Sequence, residues 1–334
     1  MKDVYILGIE TSCDETSCSI VKNGVEEINT VILSQVDIHT LYGGVVPEIA
    51  SRNHVKDIVF VIEKCLKDSN LSMNDIDAIA VTYGPGLIGS LLVGLEAAKT
   101  VAYIFNKPLV PVHHIRGHIY ANSIGNGMTF PLLALIISGG HTELLYMKDH
   151  FDYKLIGSTL DDAVGECYDK VARVMDIPYP GGPEIDKLAH QGNDTYNLPI
   201  PLDDDSFNFS FSGLKSAVIN LAHNLEQRGE KLIKGDLACS FQNVVIKSLT
   251  SKTIRAMEEY DIDNLILAGG VSANKGIRDE FAKLSSEKGF NFSTPHIKYC
   301  TDNATMIAAA GYYLYINGHV SSLEIDAESG AKFV

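Results

Sequence analysis

Residues 5–21 read YILGIETSCDETSCSIV, and residues 132–147 read LLALIISGGHTELLYM. Each stretch joins two β-rich runs through a tight turn of small and polar residues, which predicts a pair of strands at the head of a structural unit. The two stretches agree weakly in residue identity and closely in pattern. We therefore expect an α/β protein made of a duplicated β-β-β-α-β-α unit, in two lobes with a cleft between them.

The segments that follow each hairpin predict where the lobes divide. Residues 48–66 carry apolar side chains at helical spacing, and residues 76–82 read as a buried strand. We expect the first lobe over residues 1–108 and the second lobe, with helical insertions, over residues 109–302. The C-terminal helical segment, at about 303–334, should pack back on the first lobe, with Asp302 as a helix N-cap.

The composition is that of a globular protein with room for two cores. The chain has 334 residues, 46% apolar and 21% charged. Its N-terminus lacks the pattern of a signal peptide, and its six cysteines form no CxxC pair, so we expect reduced thiols and a cytoplasmic protein. The most apolar stretch, residues 87–105, contains Glu96 and Lys99, which favours a buried helix over a membrane span.

The net negative charge of the chain restricts how it can bind nucleic acid. The formal net charge is −15 and the pI about 5.1, with no long basic stripe. Nucleic-acid binders usually carry such a stripe because it offsets the phosphate charge. An RNA substrate would therefore require a local positive surface or one supplied by a partner.

Two histidines suggest a metal site. His114 and His118 are one helical turn apart, which places both imidazoles on one helix face. This spacing suits two ligands of one ion, although two histidines also coincide on a face without any metal. Asp302, just before the last helix, is the candidate third ligand. Two imidazoles and a carboxylate leave open positions on zinc or ferrous iron, as catalytic metals require.

Glycine-rich turns suggest where a substrate is held. Residues 138–142, SGGHT, directly follow a strand, so their backbone amides can approach phosphate or carboxylate oxygens. The same sequence is also compatible with an ordinary hairpin turn. Residues 84–89, GPGLIG, lack both P-loop and Rossmann spacing, which favours a structural or hinge role. Residues 269–274, GGVSAN, suit an adenine or ribose packed on the backbone, with Asn274 as its polar contact.

Two acidic residues are further candidates for binding a substrate. Asp186 follows the rigid turn YPGGP at 179–183, where a carboxylate can accept from ribose hydroxyls or simply favour a helix N-terminus. Asp169 lies on a predicted helix beside Lys170 and Arg173, and a solvated ion pair is the alternative to a binding role.

Eight blocks of the chain, in order, resemble the TsaD-type tRNA adenosine threonylcarbamoyltransferases, once called O-sialoglycoprotein endopeptidases. The resemblance covers essentially the whole chain. Its ETSCDET motif favours the bacterial or mitochondrial branch of the family, and the absence of a presequence pattern favours a bacterial member. The blocks are GIETSCDET (8–16), GPGLIGSL (84–91), HIRGHI (114–119), SGGHT (138–142), YPGGP (179–183), FSFSGLK (209–215), GGVSAN (269–274) and TDNATM (301–306).

The resemblance implies a fold of the ASKHA class, which includes actin, hexokinase and Hsp70, together with a set of site residues. It places one divalent metal per subunit, ferrous iron ahead of zinc, on His114, His118 and Asp302. The substrate-binding positions that it implies are Ile137, Ser138, Gly139, Gly140, His141, Asp169, Gly182, Asp186 and Asn274.

The implied reaction moves the threonylcarbamoyl group of threonylcarbamoyl-AMP to N6 of adenosine 37, in tRNAs that read codons beginning with A. The products are N6-threonylcarbamoyladenosine (t6A) and AMP. The implied partners are a TsaB-type paralogue and a TsaE-type ATPase, with no membrane. No residue is identified as catalytic, and Asp14 and Glu15 are our candidates for handling the amine proton.

Two other activities fit parts of the same pattern. A small-molecule kinase would use the same fold and glycine turns, but phosphoryl transfer to a sugar does not need a His/His/Asp site. A metalloprotease is supported by the histidine spacing alone, and no glutamate lies between the two histidines to act as its general base.

Overall fold

A computed structural model describes residues 2–333. The chain forms two compact units, one comprising Met1–Met128 with Pro295–Val334 and the other Thr129–Thr294. Each unit is built on one five-stranded sheet with its own apolar core.

The sheet of the first unit has the strand order β3-β2-β1-β4-β5. The first three strands pair antiparallel, β4 adds in parallel to β1, and β5 adds in parallel to β4. The elements are β1 (Tyr5–Glu10), β2 (Glu15–Lys22), β3 (Glu26–Ser34), α1 (Val36–Thr40), α2 (Pro47–Ser69), β4 (Ala78–Gly84), α3 (Ile88–Phe105), β5 (Leu109–His113) and α4 (His114–Tyr120).

The second unit repeats this plan. Its sheet order is β8-β7-β6-β9-β10, with the same antiparallel triplet followed by the same two parallel additions. The predicted duplicated unit is therefore confirmed. The elements are β6 (Leu132–Ile137), β7 (Thr142–Asp149), β8 (Asp152–Ser158), α5 (Val164–Val174), α6 (Gly181–Ala189), α7 (Ser212–Gln227), α8 (Lys234–Tyr260), β9 (Asn264–Ala268), α9 (Lys275–Lys288) and β10 (Asn291–Ser293).

The last helix, α10 (Ala304–Ile316), packs on β1, β4 and α4 of the first unit. Three glycines allow the backbones to approach. A Cβ on Gly8 would lie 2.5 Å from the Ala304 carbonyl oxygen, and one on Gly117 would lie 2.7 Å from Ile307. Gly311 on the helix itself faces Ala80 in the same way. The return of the C-terminus to the first unit follows the expectation from the sequence.

The boundaries of the units differ from the ones predicted, 1–108 and 109–302. Residues 109–113 form β5, which pairs in parallel with β4, so the first unit continues to residue 128 and resumes at residue 295. The pairing joins strands that are distant in sequence, and a hydrophobic run does not reveal which sheet it will join.

The cap of α10 also differs from expectation. Asn303, not Asp302, is the N-cap, and its side-chain oxygen accepts a hydrogen bond from the Met306 amide at 2.9 Å. Asn is as good a cap as Asp. The carboxylate of Asp302 is thereby left to face other groups.

Helix α3 has the length and composition to cross a membrane, by those two criteria alone. Within the first unit one face of this helix packs against β4 and α2. Its buried residues include Leu91, Leu95 and Ala98. A core helix passes the same test.

The packing of α10 predicts that Gly8→Ala destabilises the protein. The new methyl group would meet backbone atoms of Ala304 and Ala308, which cannot move aside as the end of a side chain can. Overpacking of this kind costs about 1–3 kcal/mol, measurable by denaturant unfolding. The matched control is Gly213→Ala in α7, where a Cβ meets nothing within 4 Å. An equal stability for the two variants would contradict the account.

Candidate metal centre and substrate loops

Helix α4 presents two imidazoles to one carboxylate. The His114 and His118 rings lie 4.7 Å apart between centroids and nearly perpendicular. Their Nε2 atoms are 3.4 Å and 3.3 Å from the same Oδ1 of Asp302. In a tetrahedral site with bonds of about 2.0–2.2 Å, neighbouring ligand atoms lie roughly 3.3–3.6 Å apart, so these separations suit one shared cation.

A buried layer of polar groups orients His114. Its Nδ1 lies 3.4 Å from Oε2 of Glu10 and 3.1 Å from Oγ of Ser12. Glu10 is fully buried and also accepts from the Ser12 amide and the Thr82 hydroxyl, both at 2.5 Å. A carboxylate behind a ligand histidine is the usual support of a metal site, because it fixes the ring and its tautomer. The residues present therefore fit a metal.

The charges of the cluster are strongly coupled. Burial opposes protonation of His114, but the Asp302 and Glu10 carboxylates outweigh it and hold the pKa of His114 well above 6.5. Burial likewise opposes ionisation of Asp302, yet the two histidines lower the pKa of Asp302. For His118, burial lowers the pKa, and the charge of His114 acts in the same direction. The two carboxylates thus favour a proton on His114, at the position where a cation would replace it.

Asp14 and Glu15, our candidates for proton transfer, lie where β2 begins. Burial, followed by the charges of Asp302 and Asp14, raises the pKa of Glu15 to about 10. A cation held by Asp302 acts in the opposite direction. The pKa of Glu15 should therefore fall when the His114–His118–Asp302 cluster binds a cation.

In the second unit, the turn after β6 has an open backbone face. Oγ of Ser138 accepts hydrogen bonds from the Gly140 and His141 amides at 3.3 Å and 3.0 Å. A Cβ on Gly139 or Gly140 would meet nothing within 4 Å, so a ligand can approach the backbone there. Behind the turn, the carbonyl of Ile137 lies against Gly269. This contact requires a glycine, because a Cβ would collide with the carbonyl oxygen and because the φ of +89° is unfavourable for other residues.

Asp186 and Asn274 meet in one hydrogen-bond network with Gln242. Asp186 accepts from the Lys275 amide at 2.8 Å, the Gly276 amide at 3.2 Å and the Gln242 side chain at 2.9 Å. Asn274 is the N-cap of α9 and donates to Oε1 of Gln242 at 3.0 Å. Both side chains therefore hold the start of α9, in addition to any contact with a ligand.

Asp169 secures the turn that opens α6. Its Oδ1 accepts from the Gly181 amide at 2.8 Å. Burial raises the pKa of Asp169, and hydrogen bonds from the Gly181 and Gly182 amides oppose that rise. Lys170 pairs instead with Asp162 and Glu166, so Asp169 is not engaged by its neighbouring lysine.

The structure groups the sequence-predicted residues into two sets. His114, His118 and Asp302 come together in the first unit, whereas the turn at 137–141, Asp169, Gly182, Asp186 and Asn274 belong to the second. Three residues escaped the sequence reasoning: Glu10, Ser12 and Gln242. A glutamate ending a hydrophobic strand was a usable signal for Glu10, whereas nothing local distinguishes Gln242 from a surface glutamine.

Residues 26–309 match the family model for TsaD, tRNA N6-adenosine threonylcarbamoyltransferase. The chain belongs to this family. Curated proteins with that name from Staphylococcus haemolyticus and Staphylococcus carnosus are each 56% identical to it. The alignments cover 98% and 99% of this chain and 96% and 99% of those proteins, respectively.

Solved structures of more distant proteins share the fold with this TsaD family member. Full-length HypF, in a phosphate- and nucleotide-bound form, has a TM-score of 0.63 at 14% identity, over 95% of this chain and 56% of that one. Component A of the Acidaminococcus fermentans (R)-2-hydroxyglutaryl-CoA dehydratase has a TM-score of 0.53 at 15% identity, over 93% and 98%. The predicted ASKHA fold class is confirmed; at such identities the likeness concerns the fold alone.

The raised pKa of His114 predicts that metal binding to this TsaD family member releases a proton. A ligand imidazole must be neutral, so near pH 7 the metal displaces the His114 proton, and the metal affinity should fall about tenfold per pH unit below that pKa. Calorimetric titration with zinc in buffers of different ionisation enthalpy measures the release, expected at about one proton per ion.

Two variants serve as controls for that titration. Glu10→Gln removes one of the two carboxylates that stabilise the His114 proton, so it should release less proton on binding zinc. His223→Ala, on the exposed surface of α7, should behave as the wild type. Zinc binding without proton release in the wild-type chain would refute the proposed charge state.

Proposed function

We propose that this chain transfers the threonylcarbamoyl group of threonylcarbamoyl-AMP to N6 of adenosine 37, in tRNAs that read codons beginning with A, forming t6A and releasing AMP. The observation that carries the proposal is the largely buried His114–His118–Asp302 cluster in a chain of this family. A kinase fold alone does not require that cluster. Since tRNA is the substrate, the proposed compartment is the cytoplasm.

The proposed metal is divalent iron ahead of zinc. Two imidazoles and one carboxylate are the ligand set of non-haem ferrous sites and also suit catalytic zinc, with positions left open. When bound, such an ion supplies Lewis acidity and a template for phosphate and carbamoyl oxygens. His114, His118 and Asp302 would hold it, and Glu10 would keep the His114 ring in position.

The chemical step is acyl transfer from a mixed anhydride. The N6 lone pair attacks the carbamoyl carbon, a C–N bond forms, and the bond from that carbon to the phosphate oxygen breaks. AMP leaves with the electron pair, and the amine loses a proton, which we assign to Asp14 or to the ionised form of Glu15. Because AMP is a good leaving group, the protein mainly has to orient the reactants and stabilise charge.

The proposed substrate contacts lie in the second unit. The open backbone at Gly139 and Gly140 suits the acyl-phosphate oxygens, and Asp186 and Asn274 suit the ribose and adenine. Oδ1 of Asp186 already accepts from the Gln242 side chain and the Gly276 amide, whereas Oδ2 accepts only from the Lys275 amide and has a lone pair for a further donor. A ribose hydroxyl can therefore be added without dismantling the network.

These contacts predict that Asp186→Ala and Asn274→Ala weaken AMP binding. Losing a buried polar contact to the nucleotide costs about 1–3 kcal/mol each, measurable by calorimetry. The matched control is Gln242→Ala, which breaks the same internal network but has no proposed nucleotide contact. If all three variants lose affinity equally, Asp186 and Asn274 act only by supporting α9.

A paralogous partner is proposed to dock on the first unit. Helix α2 exposes Val55, Val59 and Phe60, at 63%, 61% and 52% of their surface, and α3 exposes Tyr103 and Ile104 at 76% and 65%. With a net charge of −15 this chain repels a polyanion, so a TsaB-type paralogue would complete the tRNA surface, and a TsaE-type ATPase would join the assembly.

The function is tested by product analysis. The chain is incubated with threonylcarbamoyl-AMP and unmodified tRNA, with and without the two partners, and the tRNA nucleosides are analysed. We expect t6A with the partners and little without them, and none with Asp302→Asn. A Val59→Glu variant should lose the partner stimulation while retaining its metal. Failure to form t6A in the complete mixture would refute the proposed function.

A further inference from the structure

The C-terminal strap, which we define as residues 321–333, runs from α10 along the first unit. The Ser321 amide donates to the Leu109 carbonyl at 2.9 Å, beside the start of β5. The Glu328 amide then donates to the Tyr83 carbonyl at 2.8 Å, at the end of β4. The strap thus runs from the start of β5 to the C-terminal end of the β4–β5 pair. Its last residues lie at that end, where α4 begins.

The strap ends against the residue that caps α4. The Ala331 carbonyl oxygen lies 3.2 Å from Nε2 of His113. A carbonyl oxygen only accepts, so Nε2 must carry the proton. Nδ1 of the neutral ring then has a free lone pair, and it accepts from the Ile115 amide at 3.2 Å as the N-cap of α4. The strap therefore holds His113 in the tautomer that caps the helix.

The capped helix carries both metal-site histidines. It is only seven residues long, and helices this short have little stability of their own. His114 is its first residue and His118 lies one turn later. A lost cap would loosen the first turn, and with it the separation between the two imidazoles and Asp302.

A second contact path joins the strap to the same histidine. Residues 84–87 lie between the strap and Ser12: a Cβ on Gly84 would collide with the Glu328 carbonyl, and the Leu87 amide donates to the Ser12 carbonyl at 2.8 Å. Oγ of Ser12 is in turn 3.1 Å from Nδ1 of His114. The strap supports His114 through its helix and through its hydrogen-bond partner.

We propose that the C-terminal strap is a positioning element of the metal centre, acting through the hydrogen bond from His113 to the Ala331 carbonyl and the N-cap that this bond maintains. The ring of Phe333, 5.0 Å from that of His113, adds packing at the same point. The effect of the strap on metal affinity rests on the proposed function, whereas the stabilisation of α4 by the strap does not require a metal.

The test combines a truncation with substitutions of His113. One chain ends at Ala327, which removes the strap contacts with Tyr83 and His113 but keeps Ile325 and Ala327 in the core. His113→Asn keeps a good N-cap that does not depend on Ala331, and His113→Phe keeps an aromatic ring but no cap. Zinc affinity is measured by chelator competition, and amide exchange of residues 115–120 is measured without metal.

We expect the truncation and His113→Phe each to weaken zinc binding by about tenfold and to speed exchange in α4. His113→Asn should keep nearly the wild-type affinity. Truncating that variant should cost much less than truncating the wild-type chain, because its cap no longer depends on the strap and only the support through Ser12 is lost. An unchanged truncated chain, or an equal loss on truncating the Asn variant, would overturn the proposal.

Two further outcomes are also decisive. If the truncated chain does not fold, the contrast between the Asn and Phe variants in the full-length chain decides whether the cap positions the histidines. If the full-length chain binds no zinc, the proposed metal fails, and the exchange rates of α4 still decide whether the strap holds the helix.

Discussion

The close packing of α10 against β1, β4 and α4 is the constraint on which the His114–His118–Asp302 cluster depends. At Gly8 and Gly311 the elements approach so closely that an added methyl group would collide with the backbone of α10 or with the Cβ of Ala80, and Gly117 leaves room for the side chain of Ile307. That approach sets the N-terminus of α10 beside α4, and Asn303 supplies the cap, so the Asp302 carboxylate is left facing the histidines. A larger residue at Gly8 or Gly311 would move α10 away from the first unit, and with it the Asp302 carboxylate away from the two histidines.

Features that depend on nearby residues could be read from the sequence. The duplicated hairpins, and the placing of His114 and His118 on one helix face, follow from short-range periodicity, and the structure agrees with both. The boundary at residue 108 was wrong because β5 joins its sheet through parallel pairing with β4, a contact between distant segments. No local pattern distinguishes a strand that ends one unit from a strand that begins the next.

The site was predictable to the extent that its residues lie in recognisable turns. The sequence predicted Asp302 both as a metal ligand and as the N-cap of α10. In the structure the neighbouring Asn303 is the N-cap. Glu10 and Gln242 were missed because their importance comes from burial beside groups remote in sequence. Asp186 and Asn274 were seen as ligand contacts, and their part in holding α9 emerged only from the hydrogen bonds of the folded chain.

We propose that His114, His118 and Asp302 hold one divalent ion. Its most direct measurement is anomalous diffraction at the iron or zinc absorption edge from crystals grown with that metal. We expect one anomalous peak at about 2.0–2.2 Å from an imidazole nitrogen of each histidine and from a carboxylate oxygen of Asp302. A fully occupied peak elsewhere, with these three side chains unchanged, would contradict the account.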